Sequence, residues 1–317
     1  MPRVEIQPFS EDHLDAAAGL LEERQTRHRE AEPALPANID YRAEIEALWG
    51  AKERSGAVAT SNGDLVGYLI GVHREDPIWG ANIWVEHAGH AVREPETVRD
   101  LYAFLAADWV ERGFDRHYAS VPATDRDLVD AWFRLSFGAQ HAAGIQETPE
   151  HTGDHPEGIV VRLATAEDAD AVVQLDLELP RHQHLAPVFA PEPQYTEEES
   201  RRDFLQEVDK PGQALLLAEV DGKVVAGLVM VDVKESSMHN GLSRPERAAF
   251  LGFAATLPEA RATGAGVALT KAGLSWAREH GYPVTIVDWR ETNLLASRFW
   301  PRRGFRRTFL RLYRAIP

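Results

Sequence analysis

The chain has 317 residues, of which 44% are hydrophobic, and carries a formal net charge of −16. This length fits two domains of ordinary size, and the hydrophobic share excludes a largely disordered chain. Cysteine is absent, which excludes disulfides, thiolate metal sites and a cysteine nucleophile. The acidity disfavours nucleic acid as a partner, and the sequence lacks both a membrane-length apolar run and a signal-peptide core, so we expect a cytoplasmic protein without a membrane partner.

The first half, 1–147, reads as one domain. A short strand near its start is followed by a helix with Ser10 as its N-cap. An Asn62-Gly63 turn between two apolar runs predicts a β-hairpin. The later helix start at 92–98 contains Glu94 and Glu96 and no glycine, a pattern that favours helix capping over a bound phosphate.

The segment 148–158 is rich in proline, glycine and charge and has no apolar periodicity, so it is predicted to be a linker. Its two histidines, His151 and His155, indicate a solvated segment and not a metal site, because no helix aligns them. The second half, 159–317, repeats the plan of the first, with an N-cap at Thr165 and a hairpin turn at Asp221-Gly222.

A glycine-containing loop in the second half predicts a phosphate site. Arg261-Ala-Thr-Gly264-Ala-Gly266 lies where an apolar strand, 249–257, gives way to a helix. Amide groups at such a helix start point outward and attract anions, and a Cβ would hold a phosphate away. The segment is not a dinucleotide fingerprint, because Leu269 stands where the third glycine would be, and no Lys-Ser or Lys-Thr marks a P-loop.

A second segment follows the next predicted strand, 284–289. It contains Asn293, Ala296, Phe299, Trp300 and, at its end, Gly304-Phe305. Together, the two segments resemble the GNAT superfamily of acyl-CoA-dependent N-acyltransferases, and the repeated halves resemble tandem GNAT proteins such as mycothiol synthase. The resemblance implies an α/β fold of two tandem units, each a twisted, mixed and mainly antiparallel sheet flanked by helices.

The resemblance also implies a cosubstrate, acetyl-CoA or another short acyl-CoA, and no metal. It would be bound in the second half only, with the diphosphate on the glycine loop and the pantetheine arm beside Asn293 and the helix after it. Residues implied in this binding are Thr256, Leu257, Arg261, Ala262, Thr263, Gly264, Ala265, Gly266, Asn293, Ala296, Phe299 and Trp300. The amides near Thr256 and Leu257 would donate to the thioester carbonyl.

A protonated amine needs a base before it can attack a thioester. Asp288, near the carboxyl end of its strand, is the first candidate. The alternative is that Asp288 is an ordinary charged residue held by an arginine such as Arg290. His182 and His184 are further candidates, because histidine is the side chain that ordinarily exchanges a proton near neutral pH. The alternative is that both are surface polar residues in a loop. Glu246 and His239 are weaker candidates.

Family members most often place a tyrosine acid where this chain has Trp300. Ser297, one helical turn earlier, is a candidate proton relay. Alternatively, the CoA thiol leaves as a thiolate without an acid.

The expected function is acetyl transfer to an amine of a small molecule. The rival is a non-catalytic acyl-CoA sensor or interaction protein, which Trp300 and the lack of an evident base favour. Neither the acceptor nor the oligomeric state follows from the sequence.

Overall fold

The computed structural model describes residues 4–76, 79–191 and 195–317. The chain forms two compact units. Unit 1 comprises Met1–Ala143, Asn240–Arg244 and Arg307–Pro317, and unit 2 comprises Gly144–His239 and Pro245–Arg306. Within the described ranges, no helix is both long enough and apolar enough to cross a membrane.

The elements up to the unit boundary are β1 (Glu5–Pro8), α1 (Leu14–Ala31), α2 (Tyr41–Trp49), β2 (Arg54–Ser61), β3 (Asp64–Asp76), β4 (Gly80–Val85), β5 (His90–Val92), α3 (Thr97–Glu111), β6 (Arg116–Pro122), α4 (Arg126–Phe133) and β7 (Gly138–Glu147). After it come β8 (Ile159–Leu163), α5 (Ala169–His184), α6 (Glu197–Glu207), β9 (Ala214–Val220), β10 (Lys223–Asp232), β11 (Ala248–Thr256), α7 (Ala265–Glu279), β12 (Val284–Arg290), α8 (Ala296–Arg302) and β13 (Arg306–Ala315).

Unit 1 is a mixed sheet between helices. Its strands lie in the order β1-β2-β3-β4-β6-β13, with β5 also beside β3. The β4–β6 pair is parallel, whereas β1–β2, β2–β3 and β6–β13 are antiparallel. Neighbouring residues of β3 face opposite sides. Ile70 joins the core that Leu21 of α1 helps to form, and a Cβ on Gly71 would lie 2.6 Å from Trp109 of α3. Helices therefore cover both faces.

Unit 2 repeats this arrangement. Its strands lie in the order β12-β11-β10-β9-β8, of which only the β11–β12 pair is parallel. A Cβ on Gly227 of β10 would lie 3.1 Å from Leu175 of α5, and the next residue, Leu228, contacts Gly273 of α7. The two helices thus pack on opposite faces of the sheet. The predicted fold, mixed and mainly antiparallel sheets flanked by helices, is confirmed.

Both predicted hairpins are present as two-residue turns. Asn62 and Gly63 have φ of 53° and 88°, and Asp221 and Gly222 have φ of 51° and 73°. Positive φ at both central residues is the mark of a type I′ turn, which matches the twist of the flanking strands. The same turn therefore begins the central strand of each unit, β3 and β10.

The compact units differ from the predicted boundaries at the end of the chain. Strand β13 pairs antiparallel with β6 from Phe309↔Pro122 to Ala315↔Arg116. The apolar residues Phe309, Leu310 and Leu312 of β13 are buried. The second half of the sequence thus supplies the last strand of unit 1.

The predicted linker is part of unit 2 and is held along α7. The hydroxyls of Thr152 and Ser275 lie 3.0 Å apart, and Lys271 donates to the carbonyl of Asp154 at 2.5 Å. A Cβ on Gly264 would lie 3.2 Å from the ring of Pro156. The linker therefore reaches the glycine loop.

Candidate functional site

The glycine loop joins β11 to α7. Ala262 and Gly264 both have left-handed backbone conformations, with φ of 68° and 99°. Only glycine adopts this region without strain, so the loop at Gly264 requires its glycine. The first main-chain bond of α7 runs from the Ala268 amide to the Gly264 carbonyl, at 3.0 Å. The amides of Gly266 and Val267 precede that bond, which leaves them as open donors of the helix start.

Strands β11 and β12 separate close to this loop. Their parallel register extends from Ala248↔Val284 to Leu251↔Val287 and no further. On its other side β11 stays paired with β10 as far as Thr256, with a shift in register that leaves Gly252 as a bulge residue. The edge of β11 from residue 252 to 256 therefore faces a gap and not another strand.

One cavity of about 610 Å³ joins the loop to this gap. Its wall includes Gly264, Ala265 and Gly266 at one end and Ala254, Ala255 and Thr256 along the strand edge. A Cβ on Gly266 would lie 3.5 Å from the ring of Phe299. The glycine thus keeps the space between the loop and α8 open, as a cradle for a diphosphate requires.

Helix α5 covers the cavity with two polar side chains. Glu178 and His182 both line it and, being four residues apart, lie on one helical face. Arg261 Nη2 donates to Glu178 Oε1 at 2.8 Å. His182 Nε2 lies 3.4 Å from Oδ1 of Asn293. A proline within the helix, Pro180, cannot donate to the carbonyl of Asp176, which instead accepts the hydroxyl hydrogen of Tyr195 at 3.0 Å.

The opposite wall is α8 and the turn before it. Oδ1 of Asn293 accepts the amides of Leu295 at 3.0 Å and Ala296 at 3.3 Å, so the side chain caps the helix. Trp300 is buried and packs its ring near Phe305, 5.6 Å between centroids. In unit 1, Trp132 and Phe137 form an equivalent pair. Both pairs are separated by five positions in the sequence, and the ring centroids of Trp132 and Phe137 lie 4.8 Å apart. The repetition indicates a packing role for both tryptophans.

The cavity carries more positive than negative charge. Arg298, Arg302 and Arg303 line it beside Arg261, against the single carboxylate of Glu178. Nε of Arg303 is buried without a hydrogen-bond partner, and its guanidinium lies 5.4 Å from the ring of Phe299. In a chain of net charge −16, this is a local concentration of positive charge.

Residues 178–305, which contain the whole cavity wall, match the acetyltransferase (GNAT) family. This region of the chain belongs to the GNAT family. Members of the family are acyltransferases, and GNAT folds generally use acetyl-CoA. A search of curated proteins found no match for the chain.

Two solved structures share the GNAT fold over almost the whole chain. A GCN5-related N-acetyltransferase from Sphaerobacter thermophilus aligns with a TM-score of 0.58 and 14% identity, over 98% of this chain and 95% of that one. A glucosamine N-acetyltransferase region of a fungal multi-domain GH3 β-N-acetylglucosaminidase gives 0.53 and 15%, over 99% of this chain and 38% of that one. A tandem GNAT protein from the clavulanic acid biosynthesis pathway, without AcCoA, gives 0.49 and 14%, over 98% and 97%. At these identities the likeness concerns the fold, and the likeness to mycothiol synthase stays a prediction.

The GNAT cavity brings together most of the residues that the sequence singled out. On its wall are His182, Thr256, Arg261, Ala262, Gly264, Ala265, Gly266, Asn293, Ala296, Phe299 and Trp300. Their roles stay predictions. Sequence reasoning missed Glu178, although its position one turn before His182 on an amphipathic helix was a usable signal. It also missed the exposed pair Leu294 and Leu295, which form part of the rim.

Seven predicted residues are not on the cavity wall, and three of these are the candidate bases His184, His239 and Glu246. The amide of Leu257 donates to the carbonyl of Val225 at 2.9 Å, so this amide is not open to a thioester. The hydroxyl of Thr263 donates to the carbonyl of Ala260 at 2.7 Å. Ser297 Oγ donates to the carbonyl of Asn293 at 2.8 Å, which engages the hydroxyl of the predicted relay.

The fourth residue, Asp288, is half-buried on β12, one position beyond the last residue paired with β11. The side chain of its neighbour Arg290 donates to Gln183 of α5 at 2.9 Å. Of the other candidate bases, His184 Nδ1 lies 2.9 Å from the carbonyl of Ala190, and His239 Nδ1 lies 2.9 Å from the hydroxyl of Ser236. His182 is therefore the predicted base that lies on the cavity.

Proposed function

We propose that unit 2 transfers an acetyl or other short acyl group from a CoA thioester to an amine of a small molecule. The observation that carries the proposal is that one cavity contains the open amides of the α7 start, the unpaired edge of β11 and the face of α5 with His182. The amides of the helix start can bind a diphosphate, and the strand edge can form hydrogen bonds with an extended, amide-containing arm. The imidazole of His182 can accept a proton.

Each part of the site has a task in this reaction. The loop at Gly264–Gly266 and the arginines hold the diphosphate by charge-assisted hydrogen bonds. Amides on the open edge of β11 are the candidate donors to the thioester carbonyl, where charge develops as the amine attacks. When the tetrahedral intermediate collapses, the C–S bond breaks and CoA leaves as a thiolate. A thiol of ordinary pKa near 8.5 needs no acid for this step, which suits a site with Trp300.

His182 is the proposed base. An amine with pKa near 10.4 is free of its proton in only about one molecule in 10³ at pH 7. A proton on Nε2 of His182 would be donated to Asn293 Oδ1, which leaves Nδ1 to accept the proton of the amine. Asn293 is itself fixed by the helix amides that it caps, so it holds the ring orientation.

Unit 1 is proposed to bind no CoA, because its helix start is occupied by its own side chains. Glu96 precedes α3 and forms ion pairs with Arg99, at 2.9 Å, and with Arg134. A carboxylate here would repel a phosphate at about 4 Å by about 4 kcal/mol at an effective dielectric constant of 20. The segment 92–98 also has no glycine at which a diphosphate could approach the main-chain amides.

The gap between strands is also filled in unit 1. Leu69 of β3 and Leu228 of β10 occupy equivalent positions, because each comes six residues after the glycine of its hairpin turn. Leu69 pairs with His90 of β5, and Leu228 pairs with Ala254 of β11. His90 is fully buried, and its Nε2 lies 3.1 Å from the carbonyl oxygen of Ser120 on β6. A histidine thus bridges the strands of unit 1 at the position where unit 2 has a cavity-lining alanine.

The proposal is tested by CoA release from acetyl-CoA with a panel of alkylamines, polyamines, amino acids and aminoglycosides. Sustained thiol production with any acceptor supports transferase activity and removes the rival reading. That rival, a non-catalytic acyl-CoA sensor, is favoured by Trp300 in place of an acid. Tight binding of acetyl-CoA without turnover across the panel supports the sensor instead.

A further inference from the structure

The ion pair between Glu178 and Arg261 joins the two functional ends of the unit 2 cavity. Arg261 lies three residues before Gly264 in the glycine loop, whereas Glu178 lies on α5, one helical turn before His182. Both side chains line the cavity, and one hydrogen bond of 2.8 Å connects them. The side chains are 34% and 17% exposed, so neither is fully withdrawn from water.

A diphosphate is a stronger partner for Arg261 than this carboxylate. It presents several charged oxygens, two of which the planar guanidinium can bind with parallel hydrogen bonds. By contrast, a partly exposed pair with one bond contributes little to stability and is easily exchanged. Binding of CoA at the loop would therefore draw Arg261 away from Glu178.

Glu178 would then be a largely buried carboxylate without a cation. A lone charge in such a place is unfavourable and attracts an opposite charge. His182 lies one turn further along the same face of α5 and on the same cavity wall, so a cation between the two side chains would contact both. An acceptor enters the reaction as an ammonium ion, which is a cation of suitable size with protons to donate.

We propose that Glu178 binds the ammonium group of the acceptor and that Arg261 covers it until CoA arrives. The proposal rests on the function given above for unit 2. It adds a residue that selects cationic amines and that the diphosphate of the bound cofactor uncovers. Glu178 then holds the ammonium next to the imidazole that takes its proton.

The exchange of partners is tested by CoA binding in calorimetry. Because Glu178 competes with the diphosphate for Arg261, Glu178→Gln should tighten CoA binding at least threefold. Removal of any nearby carboxylate slightly favours the binding of an anion, so a control at a second carboxylate is needed. Glu259→Gln is the matched control, because Glu259 is exposed, lies two residues from Arg261 and is not on the cavity wall. In an Arg261→Gln background, Glu178→Gln should have no larger effect than the control. Weaker CoA binding by Glu178→Gln, or an effect equal to that of Glu259→Gln, overturns the exchange.

The ammonium site is tested with two CoA thioethers that need no knowledge of the natural acceptor. S-(3-aminopropyl)-CoA carries an ammonium beyond the sulfur, and S-propyl-CoA does not. We expect the first to bind the full-length protein at least tenfold more tightly, and Glu178→Gln to abolish that advantage. Aminoethyl and aminobutyl homologues place the ammonium at other distances from the sulfur. Equal affinity of all amino and alkyl thioethers, or an advantage that survives Glu178→Gln, contradicts the ammonium site.

These outcomes separate the inference from the function on which it rests. If neither thioether nor CoA binds, the assignment of unit 2 as a CoA site fails. If both bind but the ammonium gives no advantage, the cofactor site stands and only the role of Glu178 is wrong.

Discussion

The ring of His90 spans from β5 to β6, where its Nε2 lies 3.1 Å from the carbonyl oxygen of Ser120. The guanidinium of Arg24, from α1, donates to the carbonyls of His87, at 2.6 Å, and of His90 itself. Side chains therefore satisfy main-chain groups of unit 1 that lie where unit 2 has an open strand edge. The duplicated fold carries one open gap and one closed gap.

Two buried histidines near Arg24, His28 of α1 and His90 of β5, make the stability of unit 1 depend on pH. Burial and the nearby Arg24 lower the pKa of His28 and of His90 from 6.5 to about 3. The unfolded chain therefore binds protons between pH 6.5 and about 3 that the folded unit does not. The free energy of unfolding should fall as the pH drops through this window, by on the order of 2 kcal/mol for each histidine at pH 5.

Hydrogen exchange of β3 and β5 at pH 7.5 and pH 5.0, corrected for the intrinsic exchange rate, measures this loss. His117 and His73 of unit 1 also have pKa values lowered by burial, so several histidines share the effect. His28→Leu removes one of these groups, and the variant should lose on the order of 2 kcal/mol less stability than the parent protein on acidification to pH 5. An unchanged pH dependence in that variant would show that His28 is not a source of the effect.

A second prediction concerns His182. If it accepts the proton of the amine, His182→Gln should lower kcat by on the order of 10² or more and leave the affinity for acetyl-CoA within about twofold. Steady-state kinetics with the acceptor found in the panel, together with calorimetry, separate these quantities. His184→Gln is the control, since His184 is exposed and lies off the cavity wall; its kcat should stay close to that of the parent protein. Equal losses in both variants argue against His182 as the base.

A third prediction concerns the cap of α8. Asn293→Ala removes the acceptor of the Leu295 and Ala296 amides and should lower the free energy of unfolding by about 1 kcal/mol. Asn293→Asp keeps an acceptor oxygen and should recover most of that stability. Urea unfolding of the two variants checks the difference. If alanine and aspartate give the same stability, the cap is not what Asn293 contributes.

Local patterns made much of the site predictable. The glycine loop and the segment from Asn293 to Trp300 are each continuous in sequence, and the physical demand on each residue, positive φ or a helix cap, is local. The two Asx-Gly hairpins were predictable for the same reason. For such residues, the conformation depends on neighbours within a few positions, which a single sequence displays.

Other features depend on residues far apart in the chain. The apolar and aromatic residues of β13 are typical of a strand, but nothing in them says that the partner is β6. The Glu178–Arg261 pair joins residues 83 positions apart, and a sequence does not display such a contact. His90 reads as an ordinary histidine until its register opposite Leu69 shows that it closes a gap.

The central claim is that a CoA thioester binds at the start of α7 and nowhere in unit 1. Titration calorimetry of acetyl-CoA with Gly266→Asp tests it most directly, because the added carboxylate would enter the cradle and repel the diphosphate. Gly138→Asp is the matched control, since a Cβ there meets nothing within 4 Å. We predict one acetyl-CoA per chain for the parent and the control and no binding for Gly266→Asp. Retained affinity in Gly266→Asp, or a stoichiometry of two in the parent, would contradict the account.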